Sequence, residues 1–350
     1  MEDNNEEGDT VKNGNDGNLT IKISSDDDDD NYDENNRPTW TKNELLLQVL
    51  RLDDGHAIVS NGRSYEHFNI VTNEWYRLRV STVDPLGVSH ELHFREGGNI
   101  PSNCDVHKVA SDGVWHSVVP FDDDDIDDLS KKGIFPMSGS SRGDFAIRCS
   151  YEDDDDGHEN QNQNEPFMNI LFGNKLVAII NVKHLSPASN TDSMRKNDKL
   201  GRWVPNRPPS IRNMMTENVQ SKNKFSIEVT RDSINDKLWN KDVPVKQLAY
   251  NNVHEWELPN TLSHPFHMHL YHMQIVEEGG CGNGYKEGEF YDTICTDQPC
   301  RVRFRTSDFG QRLVVHCHVM LHSGKRFKLC QRVWLEAALV GTHMIPNDEH

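Results

Sequence analysis

Two short segments of the chain concentrate side chains that bind transition metals. One is His264-Pro265-Phe266-His267-Met268-His269; the other is His316-Cys317-His318, followed by His322. One thiolate with two imidazoles is the ligand set of a blue-copper electron-transfer site, and Cys317, His264 and His322 fit it. The remaining four, His267, His269, His316 and His318, offer imidazole alone, which suits copper bound for oxygen chemistry. Zinc is the main rival for a Cys/His cluster, but the paired Cys-x-x-Cys spacing that marks many zinc sites does not occur in the sequence.

Backbone geometry gives these spacings their meaning. Leu313-Val314-Val315 leads into the second segment and predicts a strand. Successive side chains of a strand point to opposite faces. His316 and His318 then face one way and Cys317 the other, so three consecutive residues serve two sites. His267 and His269 likewise share a face, away from Met268, while Pro265 bends or ends the run that follows His264. The backbone from Cys317 to its two neighbours offers a short covalent route for electrons between the sites.

The elements that must hold these residues read as strands throughout. Short apolar runs such as Leu45-Leu46-Leu47, Phe68-Asn69-Ile70-Val71 and Phe145-Ala146-Ile147-Arg148-Cys149 alternate with turn residues. Tyr76, Leu78 and Val80 alternate with Arg77 and Arg79, the period of a half-buried strand. Asn61-Gly62 and Asp112-Gly113 are turn signals. Long amphipathic helical patterns are scarce. The pattern predicts an all-β chain of sandwich domains: a disordered acidic tail over 1–37, one domain over 38–190, a Pro-, Asn- and Ser-rich linker over 191–223, and a second domain over 224–345.

Charge narrows the function classes. The net charge is −19, yet 15 of the 56 acidic residues sit in three runs: Asp26 to Asp30, Asp122 to Asp125 with Asp127 and Asp128, and Asp153 to Asp156. Runs of like charge repel themselves and bury little, so they predict solvated inserts on a nearly neutral protein. No basic patch with interleaved aromatics is present, which argues against nucleic acid. No apolar stretch reaches the roughly 18 residues of a membrane helix. The first residues, Met1-Glu2-Asp3-Asn4-Asn5, have neither the basic start nor the apolar core of an export signal. With Cys317 given to a metal, six cysteines (Cys104, Cys149, Cys281, Cys295, Cys300 and Cys330) remain that could pair, and spacing alone does not give the connectivity. The compartment is left open.

On the two histidine-rich motifs, the chain resembles the multicopper oxidases of the laccase-like group, over roughly residues 45 to 342. The resemblance implies two cupredoxin-like domains, the second and third of that family. It implies type 1 copper ligands at His264, Cys317 and His322, a type 2 ligand at His267, and type 3 ligands at His269, His316 and His318. The axial position falls on Phe327, or on Leu329 in a shifted register. Phenylalanine cannot coordinate, so a three-coordinate, relatively high-potential copper is implied. The first domain matches the family's copper-free second domain at Ser60-Asn61-Gly62-Arg63, Trp75 to Val80, Ala110-Ser111-Asp112-Gly113-Val114 and Ser141-Arg142-Gly143-Asp144-Phe145. Members of the family are often secreted.

The sequence also departs from that family. Full-length members have an N-terminal domain whose H-W-H and H-x-H motifs supply the other half of the cluster's histidines, and outside the two segments above neither motif is found here. His90-Glu91-Leu92-His93 has a different spacing and reads as a strand-edge pair. The expected function is a copper oxidoreductase that takes single electrons from a phenolic compound or a metal ion at the type 1 copper and passes them to a cluster reducing dioxygen to water. Half the cluster's ligands would come from a missing domain or a second subunit. The alternatives are a type 1 copper electron carrier and a non-catalytic copper-binding protein.

Overall fold

The computed structural model describes residues 43–52, 57–87, 89–95, 100–119, 128–150, 167–183, 200, 204–230, 233–237, 243–261, 264–307, 312–319 and 334–340. The three acidic runs lie almost wholly outside them, as do Cys330, His322, Phe327 and Leu329. Among the described residues, no helix is long and apolar enough to cross a membrane.

Four sheets account for the fold. The first two contain β1 (Glu44–Leu52), β2 (Ala57–Ser60), β3 (Glu66–Val71), β4 (Tyr76–Val83), β5 (His90–Arg95), β6 (Cys104–Ser111), β7 (Val114–Trp115), β8 (Ile134–Met137), β9 (Arg142–Cys149), β10 (Phe167–Phe172) and β11 (Lys175–Lys183). They run in the orders β2-β1-β4-β9-β6-β7 and β3-β11-β10-β5-β8. One helical turn, α1 (Asp128–Lys131), precedes β8. The alternation read in β4 is real: Tyr76, Leu78 and Val80 are buried, and they meet Leu47, Phe94, Phe145 and Ile170 in one core. β9 is buried on both faces, because Ala146 packs away from that core against Val109, Val119 and Leu200.

The other two sheets contain β12 (Lys224–Ser226), β13 (Gln247–Ala249), β14 (Val253–Leu258), β15 (Phe266–Met268), β16 (Met273–Ile275), β17 (Phe290–Tyr291), β18 (Thr293–Ile294), β19 (Cys300–Arg305), β20 (Arg312–Cys317) and β21 (Trp334–Val340). Their orders are β12-β14-β19-β16-β17 and β13-β21-β20-β15-β18. Between them lies a second core around Trp256, Phe266 and Phe304, which also encloses Cys317. Each such large side chain stabilises the fold by about 1.5–3 kcal/mol on burial. The described residues are thus all-β, two sandwiches with the α1 turn and a 3-10 turn at Ser221–Asn223 as their helical pieces.

Both turn signals form left-handed two-residue turns. Asn61 and Gly62 have φ of 49° and 78°, Asp112 and Gly113 of 48° and 85°. Such primed turns match the right-handed twist of the strands they join. Disulfides tie Cys104 to Cys149, across β6 and β9, and Cys281 to Cys300. Cys295 and Cys317 are buried and take part in neither.

Residues 204–223, read from composition as connecting chain, are seated on the second sandwich. Met214 and Val219 are buried beside Val253 and Phe290, with Val114 from the first sandwich. Met214 N–H donates to the Gln274 side chain at 2.6 Å. Arg207 forms an ion pair with Glu289 at 2.5 Å, and the same carboxylate accepts the Ser117 backbone N–H at 2.9 Å.

Candidate metal centre

Strand register builds the site. β15 lies between β18 and β20 and pairs antiparallel with both. Phe266 stands opposite Cys317, and His267 opposite His316. Directly opposed residues share a face of the sheet. Phe266 and Cys317 therefore enter the core, where they are 0% and 3% exposed. His267 and His316 turn the other way. The edges of this pairing are held by His269 N–H on the Val314 carbonyl (2.9 Å) and His318 N–H on the Pro265 carbonyl (2.8 Å).

Four imidazoles meet on the outer face. Ring centroids of His267 lie 4.9 Å from His269, 5.1 Å from His316 and 4.8 Å from His318. Ligand atoms of His267, His316 and His318 all come within 4.8 Å of one another. His269 Nε2 is 2.9 Å from His316 Nε2. His316 Nδ1 donates to the Cys317 carbonyl at 2.8 Å, so its Nε2 presents a lone pair to the shared space. Two imidazole nitrogens this close need a proton or a cation between them, and the donor set fits a metal ion. Burial pushes the His316 imidazole down to about 3 and His318 to about 4, with neighbouring imidazoles adding to both. Burial lowers His269 as well. All three present neutral rings, the form that binds metal.

The inner face carries the thiol. Cys317 Sγ lies 3.6 Å from His264 Nδ1 and accepts the Val319 backbone N–H at 3.4 Å. Burial pushes the Cys317 thiol up to about 12, so a metal must displace its proton. Thiolate with imidazole in apolar surroundings suits copper. His322, Phe327 and Leu329, expected to complete or cap this group, lie outside the described residues.

The structure brings His267, His269, His316 and His318 together and sets Cys317 with His264 on the opposite face. It does not bring in His90 and His93. His90 Nε2 lies 2.5 Å from Asp84 Oδ2, and His93 Nε2 2.9 Å from Glu91 Oε2.

Sequence reasoning missed the residues behind His267. Its Nδ1 lies 2.9 Å from the Asp292 carbonyl and 3.0 Å from Thr293 Oγ1. Asp292 is buried, which would raise its pKa, but His267 and Arg142 hold it well below the usual carboxylate range. The available signal was a carboxylate and a hydroxyl lodged between the apolar pairs Phe290-Tyr291 and Ile294-Cys295.

Residues 203–330 match the family described as multicopper oxidase. Solved structures share the fold. A multi-copper oxidase from Pseudomonas thermotolerans superposes with a TM-score of 0.60 at 15% identity, covering 85% of this chain and 68% of its own. A laccase from Pediococcus acidilactici gives 0.57 at 14%, covering 86% and 61%. A multicopper oxidase from Campylobacter jejuni, described as a metallo-oxidase, gives 0.54 at 16%, covering 85% and 64%. The chain thus spans less than two thirds of the latter two. No curated protein matches it by sequence. Residues 203–330 thus match the multicopper oxidase family model, and the two sandwiches share the fold of solved multicopper oxidases.

Proposed function

We propose that the chain is the copper-carrying part of an oxidase, with a thiolate site and half of an oxygen-reducing cluster. The observation that carries this reading is the register of β15 against β20, which puts Cys317 beside His264 and the flanking imidazoles on the reverse face. Cys317, His264 and His322 would hold a type 1 copper, with Phe327 at the non-coordinating axial position. His267 would serve a type 2 copper, and His269, His316 and His318 type 3 coppers. Copper bound there supplies one-electron chemistry, and a completed cluster supplies four-electron reduction of dioxygen to water. Cys317 is bonded through the backbone to both His316 and His318, so the chain itself provides a covalent path from the inner group to the outer one. The apolar core around Cys317 keeps water from the thiolate.

The reductant we propose is a phenolic compound or a metal ion, the two classes suggested by the relatives described as a laccase and a metallo-oxidase. The other half of the cluster's histidines would come from a further domain or a second subunit. Oxygen uptake by the copper-loaded chain, with a phenol and with Fe(II), tests this. The expected result is uptake only in an assembly that holds a full complement of coppers, and none from a chain holding copper at Cys317 alone. Uptake at the same rate by a single chain lacking His267 and His316 would overturn it. A second reading is an electron carrier without oxidase activity, which the thiolate group of Cys317 and His264 would serve without the histidine cluster. It predicts one tightly bound copper and no uptake in any assembly.

A further inference from the structure

The strand beside His267, β18, is gripped at its start from the other sandwich. Asp112, in the turn between β6 and β7, is buried, and its carboxylate accepts backbone N–H groups from Arg142 (3.0 Å), Asp292 (3.2 Å) and Thr293 (3.3 Å). Its carbonyl accepts Arg142 Nη2 at 3.2 Å and His272 Nε2 at 2.9 Å. Arg142 also pairs with the Asp292 carboxylate. Thr293 donates its hydroxyl proton to Asp292 Oδ1 at 2.9 Å. A single turn of the first sandwich thereby fixes two consecutive residues of the second.

Those two residues are the partners of His267 Nδ1. A carbonyl oxygen only accepts, and the Thr293 proton is committed to Asp292. Both neighbours therefore present oxygen lone pairs to Nδ1, which lies 2.9 Å from one and 3.0 Å from the other. Asp292 Oδ1 lies 3.6 Å away and adds negative potential on the same side. Nδ1 must carry a ring proton, and in the neutral ring Nε2 is left with its lone pair. An N–H donated to a carbonyl or carboxylate fixes both the tautomer and the ring orientation of a metal-binding histidine, and loss of such a partner typically costs 10–100-fold in metal affinity.

We propose that Asp112 and Arg142 of the first sandwich, acting through Asp292 and Thr293, select the metal-ready tautomer of His267, so that Arg142 and Asp292 are positioning residues for the histidine cluster. This rests on the proposed copper reading for its consequence, but the tautomer is a property of the metal-free chain. The first sandwich then has a chemical task beyond covering the second.

Nitrogen NMR of the histidine rings in the metal-free full chain tests the first step. Wild type should hold His267 as the Nδ1–H form, and Arg142→Gln should admit a measurable fraction of Nε2–H. Titration with Cu(II) alone tests the second. Arg142→Gln should weaken binding at the histidine cluster about 10–100-fold, while the thiolate-to-copper band of Cys317 stays, and Arg142→Lys should recover part of the loss. Thr293→Val removes a partner of His267 without touching the Arg142 pair, and decides the matter should Arg142→Gln not fold. An Nε2–H ring in wild type, or unchanged tautomer and affinity in both variants, overturns the proposal. If wild type holds the Nδ1–H tautomer and yet no copper binds to the cluster, the copper reading fails and the tautomer selection stands.

Discussion

Burial sets the protonation of the side chains that matter most. The thiol of Cys317 rises to about 12, and the imidazoles of His316 and His318 fall to about 3 and about 4, all chiefly because the core disfavours charge. The same force acts on His254, whose ring stacks on Phe304 at 5.5 Å and donates Nε2–H to the Ala249 carbonyl at 3.0 Å. Burial lowers its pKa, with Lys246 adding to the shift. The unfolded chain takes up a proton on this ring below about pH 6.5 and the folded chain resists it. His254 thus stabilises the fold fully above that pH, and the contribution fades as pH falls toward its depressed folded value. Asp112, raised to about 7 by burial and by Asp292, works in the opposite direction, so a paired variant is needed. Urea midpoints at pH 7.5 and 5.5 should show a larger acid loss in wild type than in His254→Phe; equal losses would refute the burial argument. At this scale the ligand types were legible, because few chemistries use one cysteine among so many histidines. The partners of His267 were not, since Asp292 and Thr293 are common residues and Asp112 joins them from 180 positions away.

At the scale of elements, alternation was the most readable signal. A period of two in β4 and in His316-Cys317-His318 survives folding because each strand is packed on at least one face. The meeting of elements was less legible. The loop after β4 approaches the segment after β20, and Gly87 marks the contact. Its φ is +66°, and a Cβ there would come 2.5 Å from Val319 Cγ2 and 3.3 Å from Pro265 Cδ. Those two residues bracket the inner group, Pro265 next to His264 and Val319 donating to Cys317 Sγ. Both the left-handed backbone and the lack of space exclude a side chain. Gly87→Ala should cost about 1–3 kcal/mol, read from urea unfolding, and should shift the thiolate-to-copper band without changing the histidine cluster. A variant with wild-type stability and an unmoved band would show that this loop does not support the site.

For the whole molecule, the all-β class and the two histidine motifs could be read from the sequence. What joins the sandwiches could not, because it is built from a turn aspartate, an arginine and a short acidic pair whose meaning appears only in three dimensions. The seating of residues 204–223 escaped too: their composition is that of a linker, and only Met214 and Val219, with the Arg207 pair, tie them down. The central claim is that one strand serves two metal groups, one on each face. Its most direct test is the visible spectrum of the copper-loaded full chain, compared across Cys317→Ser and His267→Ala with copper counted in each. Cys317→Ser should abolish the intense blue band and lower the copper count, while His267→Ala should leave the band largely intact. A band that survives Cys317→Ser, or one lost equally in both variants, would contradict the two-faced arrangement.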